Sequence, residues 1–157
     1  MGAFVWAGQA QAQEPAIPAD LSAPGDQIAL VLQLDGMQLY ECKRTAGKLT
    51  WASNGPRAAL YKDGAIVGNY SNGPTWRHND GSSVTGKVVV TKDSPTSKDY
   101  PWQRFEVTSR GQGALSDVTA VVQIDTQKGL LQGDCTDETV GAGQPFRATY
   151  VFLKTKK

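Results

Sequence analysis

A single histidine, His78, sits in the run Trp76-Arg77-His78-Asn79-Asp80-Gly81-Ser82-Ser83, so any histidine-dependent acid-base or nucleophilic step must pass through that stretch. A triad needs a hydroxyl within hydrogen-bond reach of the imidazole and a carboxylate that orients it. Asp80, Ser82 and Ser83 are near in sequence, but no Gly-x-Ser-x-Gly elbow accompanies them. The plain reading of His78 is therefore a solvated turn histidine. Carboxylates at Asp35, Asp63, Asp80, Asp93, Asp99, Glu106, Asp117, Asp125, Asp134, Asp137 and Glu138 could hydrolyse a glycoside if two of them converge. Most stand in turn contexts beside glycine, where aspartate bonds its own backbone and fixes a bend. The run Asp134-Cys135-Thr136-Asp137-Glu138 lacks the spaced oxygen ligands of a calcium loop. No catalytic residue and no metal site is assigned.

Aromatic residues are the other notable set: Trp51, Trp76 and Trp102 with Tyr40, Tyr61, Tyr70 and Tyr100. Such rings stack on ligands when they line a pocket, and plug the ends of a small β core when they do not. Trp76, His78, Asp80 and Tyr70 are the candidate binding residues. Within that block Pro74 fixes φ, Gly73 and Gly81 permit bends, and Asp80 can bond the turn. We expect a rigid loop-and-turn pair over Gly73 to Gly86, with Trp76 anchoring it on the core.

The elements that must position these residues are short and extended. Candidate strands are Ile28 to Leu34, Met37 to Lys43, Leu49 to Ser53, Arg57 to Tyr61, Ile66 to Tyr70, Val84 to Lys92, Trp102 to Ser109, Val118 to Ile124 and Phe146 to Lys154. Turns are expected at Asp35-Gly36, Asn54-Gly55-Pro56, Asp63-Gly64, Asn72-Gly73-Pro74 and Asp80-Gly81. In the last strand Phe146, Ala148, Tyr150 and Phe152 share one face, the period of two that a buried sheet face requires. Near the middle, Val118, Ala120, Val122 and Ile124 oppose Thr119, Val121 and Gln123. No window carries a convincing helical stripe. The pattern predicts an all-β, single-domain antiparallel sandwich or barrel of about 8 to 10 short strands, with little or no helix.

Composition sets outer limits. The 157 residues suit one domain, and the 39% hydrophobic share is enough to form a core. A formal net charge of +1 gives no broad basic face, so no nucleic-acid partner is expected. No Walker loop, dinucleotide fingerprint or Cys-x-x-Cys is present, and no cofactor is implied.

The punctuation itself has a counterpart. Asp35-Gly36-Met37-Gln38-Leu39-Tyr40-Glu41-Cys42, Gly73-Pro74-Thr75-Trp76, Asp80-Gly81-Ser82-Ser83-Val84-Thr85-Gly86-Lys87, Pro101-Trp102 and Gly133-Asp134-Cys135 occur in that order. In order and spacing they resemble the bacterial and fungal domain of unknown function 3455 family, over roughly Leu30 to Leu153. Gly-Pro-Thr-Trp followed closely by Asp-Gly-Ser is the most specific piece. The resemblance implies an exported, mostly β domain with a cysteine pair and no established activity. Where the family often has histidine in a Gly-x-His-aromatic context, this chain reads Gly68-Asn69-Tyr70.

Export is also suggested by the N-terminus. Met1 to Gln13 carry no charge, and an apolar stretch from Ala3 to Ala7 runs into Ala10-Gln11-Ala12, an A-x-A cleavage pattern. The domain plan is a shortened signal peptide over 1–12, a Pro-rich extended lead-in over 13–25 lying outside the core, and one β domain over 26–157. In an oxidising compartment Cys42 and Cys135 would pair, the alternative being two separate buried thiols. Asn69-Tyr70-Ser71 matches a glycosylation sequon, relevant only in a eukaryotic secretory host. The favoured reading is a secreted or periplasmic, non-enzymatic module for a small-molecule, glycan or protein ligand, without a transmembrane segment. The alternative is a secreted hydrolase using carboxylates or the His78 loop.

Overall fold

Strands that alternate apolar and polar positions need cover on one face, and a sheet that closes on itself supplies that cover and removes its own edges. The computed structural model describes residues 14–71, 73–96 and 98–155, so the leader expected over Met1 to Ala12 and its cleavage at Gln13 lie outside the described residues. The strands are β1 (Asp26–Thr45), β2 (Lys48–Lys62), β3 (Ala65–Ser71), β4 (Thr75–His78), β5 (Ser83–Lys92), β6 (Trp102–Arg110), β7 (Ala120–Lys128) and β8 (Gly141–Thr155). Each pairs antiparallel with its sequence neighbour and β8 returns to β1, closing a barrel. The single all-β domain is therefore a barrel and not a sandwich.

Two expected turns are strand interior. Asp35-Gly36 lies within β1 and Asn54-Gly55-Pro56 within β2, so two pairs of short candidate strands merge into long ones. The reason at Gly36 is close approach: a Cβ there would lie 2.4 Å from the Arg57 carbonyl oxygen on the neighbouring strand. Glycine lets the two chains pass, and a register shift between Gln38 and Tyr40 absorbs the irregularity at Gly55. Asp63-Gly64 does turn the chain, with φ of 49° and 80°, and Ala46-Gly47 with 51° and 81° closes the β1–β2 hairpin. Positive φ at both positions is the demand of a type I′ turn. β4, only four residues between two turns, was not among the candidate strands.

Inside the barrel Leu32, Leu34, Leu60, Trp76, Val84, Phe105, Phe146, Tyr150 and Phe152 form the main core. Leu115 and Val118, from the connection between β6 and β7, belong to it as well. That connection and the β4–β5 turn mark the closed end of the barrel. The opposite end, where the β1–β2 hairpin projects, is the mouth.

A second cluster lies on the outer wall. Ala120, Val122 and Ile124 of β7 with Val151 and Leu153 of β8 are buried there with Leu21, and Ile17, Val90 and Trp102 pack against them. Both faces of β7 and β8 are thus buried. The lead-in, expected outside the core, is corrected at this point: Leu21 is fully buried within a single 3-10 turn, Ala19–Leu21. Arg104 fastens it. Its guanidinium donates to both carboxylate oxygens of Asp26 at 2.7 and 3.1 Å, to the Leu21 carbonyl at 3.0 Å and to Glu106 at 3.0 Å. Among the described residues no helix is long and apolar enough to cross a membrane.

Candidate functional site

The four residues singled out from sequence are divided between two places. Trp76 is fully buried, with Tyr70 at 5.1 Å, Phe105 at 5.0 Å and Tyr150 at 5.6 Å arranged edge-to-face around its ring. It anchors the Gly73 to Gly86 block inside the barrel, as expected. Tyr70 stacks on Tyr150 with centroids 5.6 Å apart and faces the mouth side of this group.

His78 and Asp80 stand at the closed end. Asp80 Oδ1 accepts from the Ser82 amide at 2.8 Å and the Ser82 hydroxyl at 2.6 Å, while Oδ2 accepts from the Ala114 amide at 2.7 Å. The Ser82 hydroxyl foremost, then the two amides, hold this carboxyl well below the usual carboxylate range. The His78 Nδ1 accepts from the Asp80 amide at 3.2 Å. Because the Ser82 proton goes to Asp80 and Ser82 Oγ accepts from the Leu115 amide at 3.3 Å, the hydroxyl is spent on loop structure. The group stitches the β4–β5 turn to the plug formed by Leu115.

Toward the mouth, the lumen holds a chamber of about 130 Å³. Its lining comes from β1, β2, β3, β5, β6 and β7: Gln38, Pro56, Tyr70, Val88, Gln103, Phe105 and Gln123, with Pro74 and Tyr100 at the rim. Gln123 is engaged at both ends of its carboxamide, donating to the Pro101 carbonyl at 2.9 Å and accepting from the Tyr150 hydroxyl at 2.7 Å. Gln38 is not. It is 1% exposed and donates through Nε2 to Ser53 Oγ at 2.6 Å, yet its Oε1 has no hydrogen-bond partner among the described residues. Trp76 Nε1, deeper in the lumen, is likewise unpartnered among the described residues. Burial, reinforced by the neighbouring phenols, pushes Tyr70 and Tyr150 well above the ordinary tyrosine value, so both stay neutral. Among the described residues no charged side chain lines the chamber.

A strap crosses the same end. Cys42 of β1 and Cys135, in the connection between β7 and β8, form a disulfide with Cα atoms 5.8 Å apart. Trp51 donates its amide to the Gly133 carbonyl at 3.1 Å, and the Tyr40 hydroxyl accepts from the Leu131 amide at 3.1 Å while donating to the Gly129 carbonyl.

A wider groove of about 850 Å³ runs over the outer wall, bordered by Tyr61, Trp102, Asp35, Asp125 and Arg147. Asp35 and Asp125 share this groove, and Asp125 also shares an adjoining one with Asp63. Asp35 there is paired with Arg147 at 3.4 Å. Among the described residues no three metal-ligating side chains stand together.

Sequence reasoning missed Gln38, Gln103, Phe105 and Gln123. The available signal was a polar residue on an apolar face: Gln38 continues the inward series Leu32, Leu34, Gly36.

Fold and site together define a small closed antiparallel barrel, packed solid at one end and chambered at the other. Residues 62–154 match the family described as protein of unknown function (DUF3455), and the chain belongs to that family. The matched range spans β3 to β8 and contains the Gly73-to-Trp76, Asp80-to-Lys87, Pro101-Trp102 and Gly133-to-Cys135 segments, while Asp35 to Cys42 precede it. No curated protein and no solved structure matches the chain.

Proposed function

We propose that this is an exported, non-enzymatic binding module that holds a small ligand in the mouth-side chamber of its barrel. The observation that carries the reading is the buried Gln38 carboxamide with one polar end unanswered at the wall of a chamber. Buried polar groups are paired in native proteins almost without exception, and leaving one unpaired costs about 1 to 3 kcal/mol. A ligand hydrogen bond would recover that cost. Small eight-stranded barrels have room for one small ligand where side chains do not fill them. Export is supported by the disulfide and by the Ala10-Gln11-Ala12 pattern.

Of the four candidate binding residues, this reading keeps Tyr70 in contact with ligand and gives Trp76 the floor behind it. His78 and Asp80 then serve the closed end. The hydrolase alternative has less support, because Ser82 spends its proton on Asp80, and Asp35 in the outer groove is held by Arg147. The test compares small-molecule extracts of native exported protein with those of a chamber-filling variant, Val88→Trp. A compound retained by the wild type and lost from the variant is the expected result. Identical extracts, together with identical thermal melts in a broad ligand screen, would overturn the reading. Intact mass of the exported chain is expected to begin at Gln13.

A further inference from the structure

Resting on that reading, the chamber also constrains what it holds. Its volume of about 130 Å³ is close to that of a cavity that accepts one benzene ring. Among the described residues its lining holds no Asp, Glu, Lys or Arg, which leaves an ionic ligand without a counter-charge, and an unpaired charge in such a place is heavily penalised. Tyr70, Phe105 and Tyr100 offer ring surfaces, and Pro56, Pro74 and Val88 offer apolar edges, which suits a flat molecule.

Polar capacity is small. Gln123 already bonds Pro101 and Tyr150, Gln103 reaches Thr91 Oγ1 at 3.4 Å, and Tyr100 reaches Ser53 Oγ at 3.5 Å. The free end of Gln38 is the polar atom of this lining that is buried and unanswered among the described residues. A monosaccharide would bring several hydroxyls to a lining with one buried, unanswered polar end, and each hydroxyl left unsatisfied costs binding energy. A single hydroxyl is well suited: it donates and accepts, so it answers the Gln38 carboxamide in either amide orientation.

We infer that the chamber takes a neutral one-ring aromatic alcohol, of which phenol is the simplest member, with the ring among Tyr70, Phe105 and Tyr100 and the hydroxyl on Gln38.

The experiment is a two-dimensional amide NMR titration of the intact, oxidised protein with phenol, benzene and glucose. Phenol is expected to shift amides at Gln38, Tyr70, Phe105 and Gln123, with benzene about tenfold weaker, as for one lost hydrogen bond, and with glucose giving no saturable shift. Gln38→Leu is expected to bring phenol and benzene to within about twofold of each other, and Val88→Trp to abolish both. Should Gln38→Leu unfold, Gln38→Met serves the same comparison. Equal affinity of the wild type for phenol and benzene, or saturable binding of glucose at these amides, overturns the aromatic-alcohol assignment and leaves the chamber as a binding site. Shifts that are absent, or that persist unchanged in Val88→Trp, overturn this assignment and the chamber reading together.

Discussion

At the scale of single residues, Trp76 and Asp80 divide the work of the block that sequence reasoning marked out. Trp76 has its whole side chain in the lumen, ringed by Tyr70, Phe105, Tyr150 and Phe152. Trp76→Ala should therefore cost roughly 3 to 5 kcal/mol in denaturant melts. Trp76→Phe should cost less, because it keeps a ring and removes the unpartnered Nε1 donor. An unmoved midpoint in the alanine variant would contradict the anchoring role. Asp80 acts through charge. Its folded-state pKa lies well below the ordinary aspartate value, so the unfolded chain binds the proton more readily. The stabilisation from Asp80 is complete above about pH 4 and is lost as the pH falls through the folded value. Asp80→Asn should lower stability near neutrality and flatten the loss between about pH 4 and pH 2 relative to wild type, read from melts across that range. An unchanged acid limb would mean that the bonds to Ser82 and Ala114 do not carry the shift.

Among the elements, the lead-in is where sequence and structure part. Its Pro15, Pro18 and Pro24 predict an extended segment, but nothing local shows that Leu21 will meet Val122 and Leu153 across the barrel wall. The clue lies far away, in the apolar residues on both faces of β7 and β8, which require cover outside as well as inside. The β8 alternation was legible because Phe146 to Phe152 repeat cleanly. Asp35-Gly36 misled, since a glycine that permits close strand approach and one that permits a turn look alike in sequence. Gln38 escaped notice for a related reason: its significance depends on neighbours from five other strands. Arg104 couples the lead-in to β6 through Asp26. Burial raises the Asp26 pKa, but the Arg104 hydrogen bond, the Ala23 amide and the Arg104 charge together outweigh it and leave it lowered. Removing the carboxylate charge leaves a guanidinium whose side chain is 7% exposed with Glu106 as its remaining counter-charge. Asp26→Asn should cost roughly 2 to 4 kcal/mol and make residues 14–25, which hold no Lys or Arg, cleavable by a broad-specificity protease such as proteinase K at low dose before the barrel itself. Simultaneous digestion of both would show that the lead-in is not a separately docked element.

For the molecule as a whole, the seams of the barrel are unequal. β1 and β8 pair continuously from Asp26↔Thr155 to Glu41↔Gly141, apart from one shift near Ile28, whereas β6 and β7 share only Gln103↔Gln123 to Glu106↔Ala120. β4 and β5 share only Thr75↔Thr85 to Arg77↔Ser83. A closed barrel opens first where fewest backbone bonds must break, so the long seam should report global unfolding and the short ones local opening. The short β4 seam is guarded by Trp76, leaving the β6–β7 seam as the weaker. The disulfide acts on the other axis. It spans a separation of 93 residues, and in the loop-entropy account such a closure constrains the unfolded chain by roughly 4 to 5 kcal/mol. In the folded state it straps residues 129–140 to the β1–β2 hairpin beside the chamber. Reduction should therefore do two separable things in native-state hydrogen exchange. Amides of Leu32, Leu34, Tyr150 and Phe152 should keep their order of protection while their common opening free energy falls. Amides over 41–53 and 129–140 should lose more than that, because a local opening of the mouth becomes accessible. A uniform acceleration of every amide would instead mean that the disulfide acts only through the unfolded chain and leaves the mouth as rigid as before.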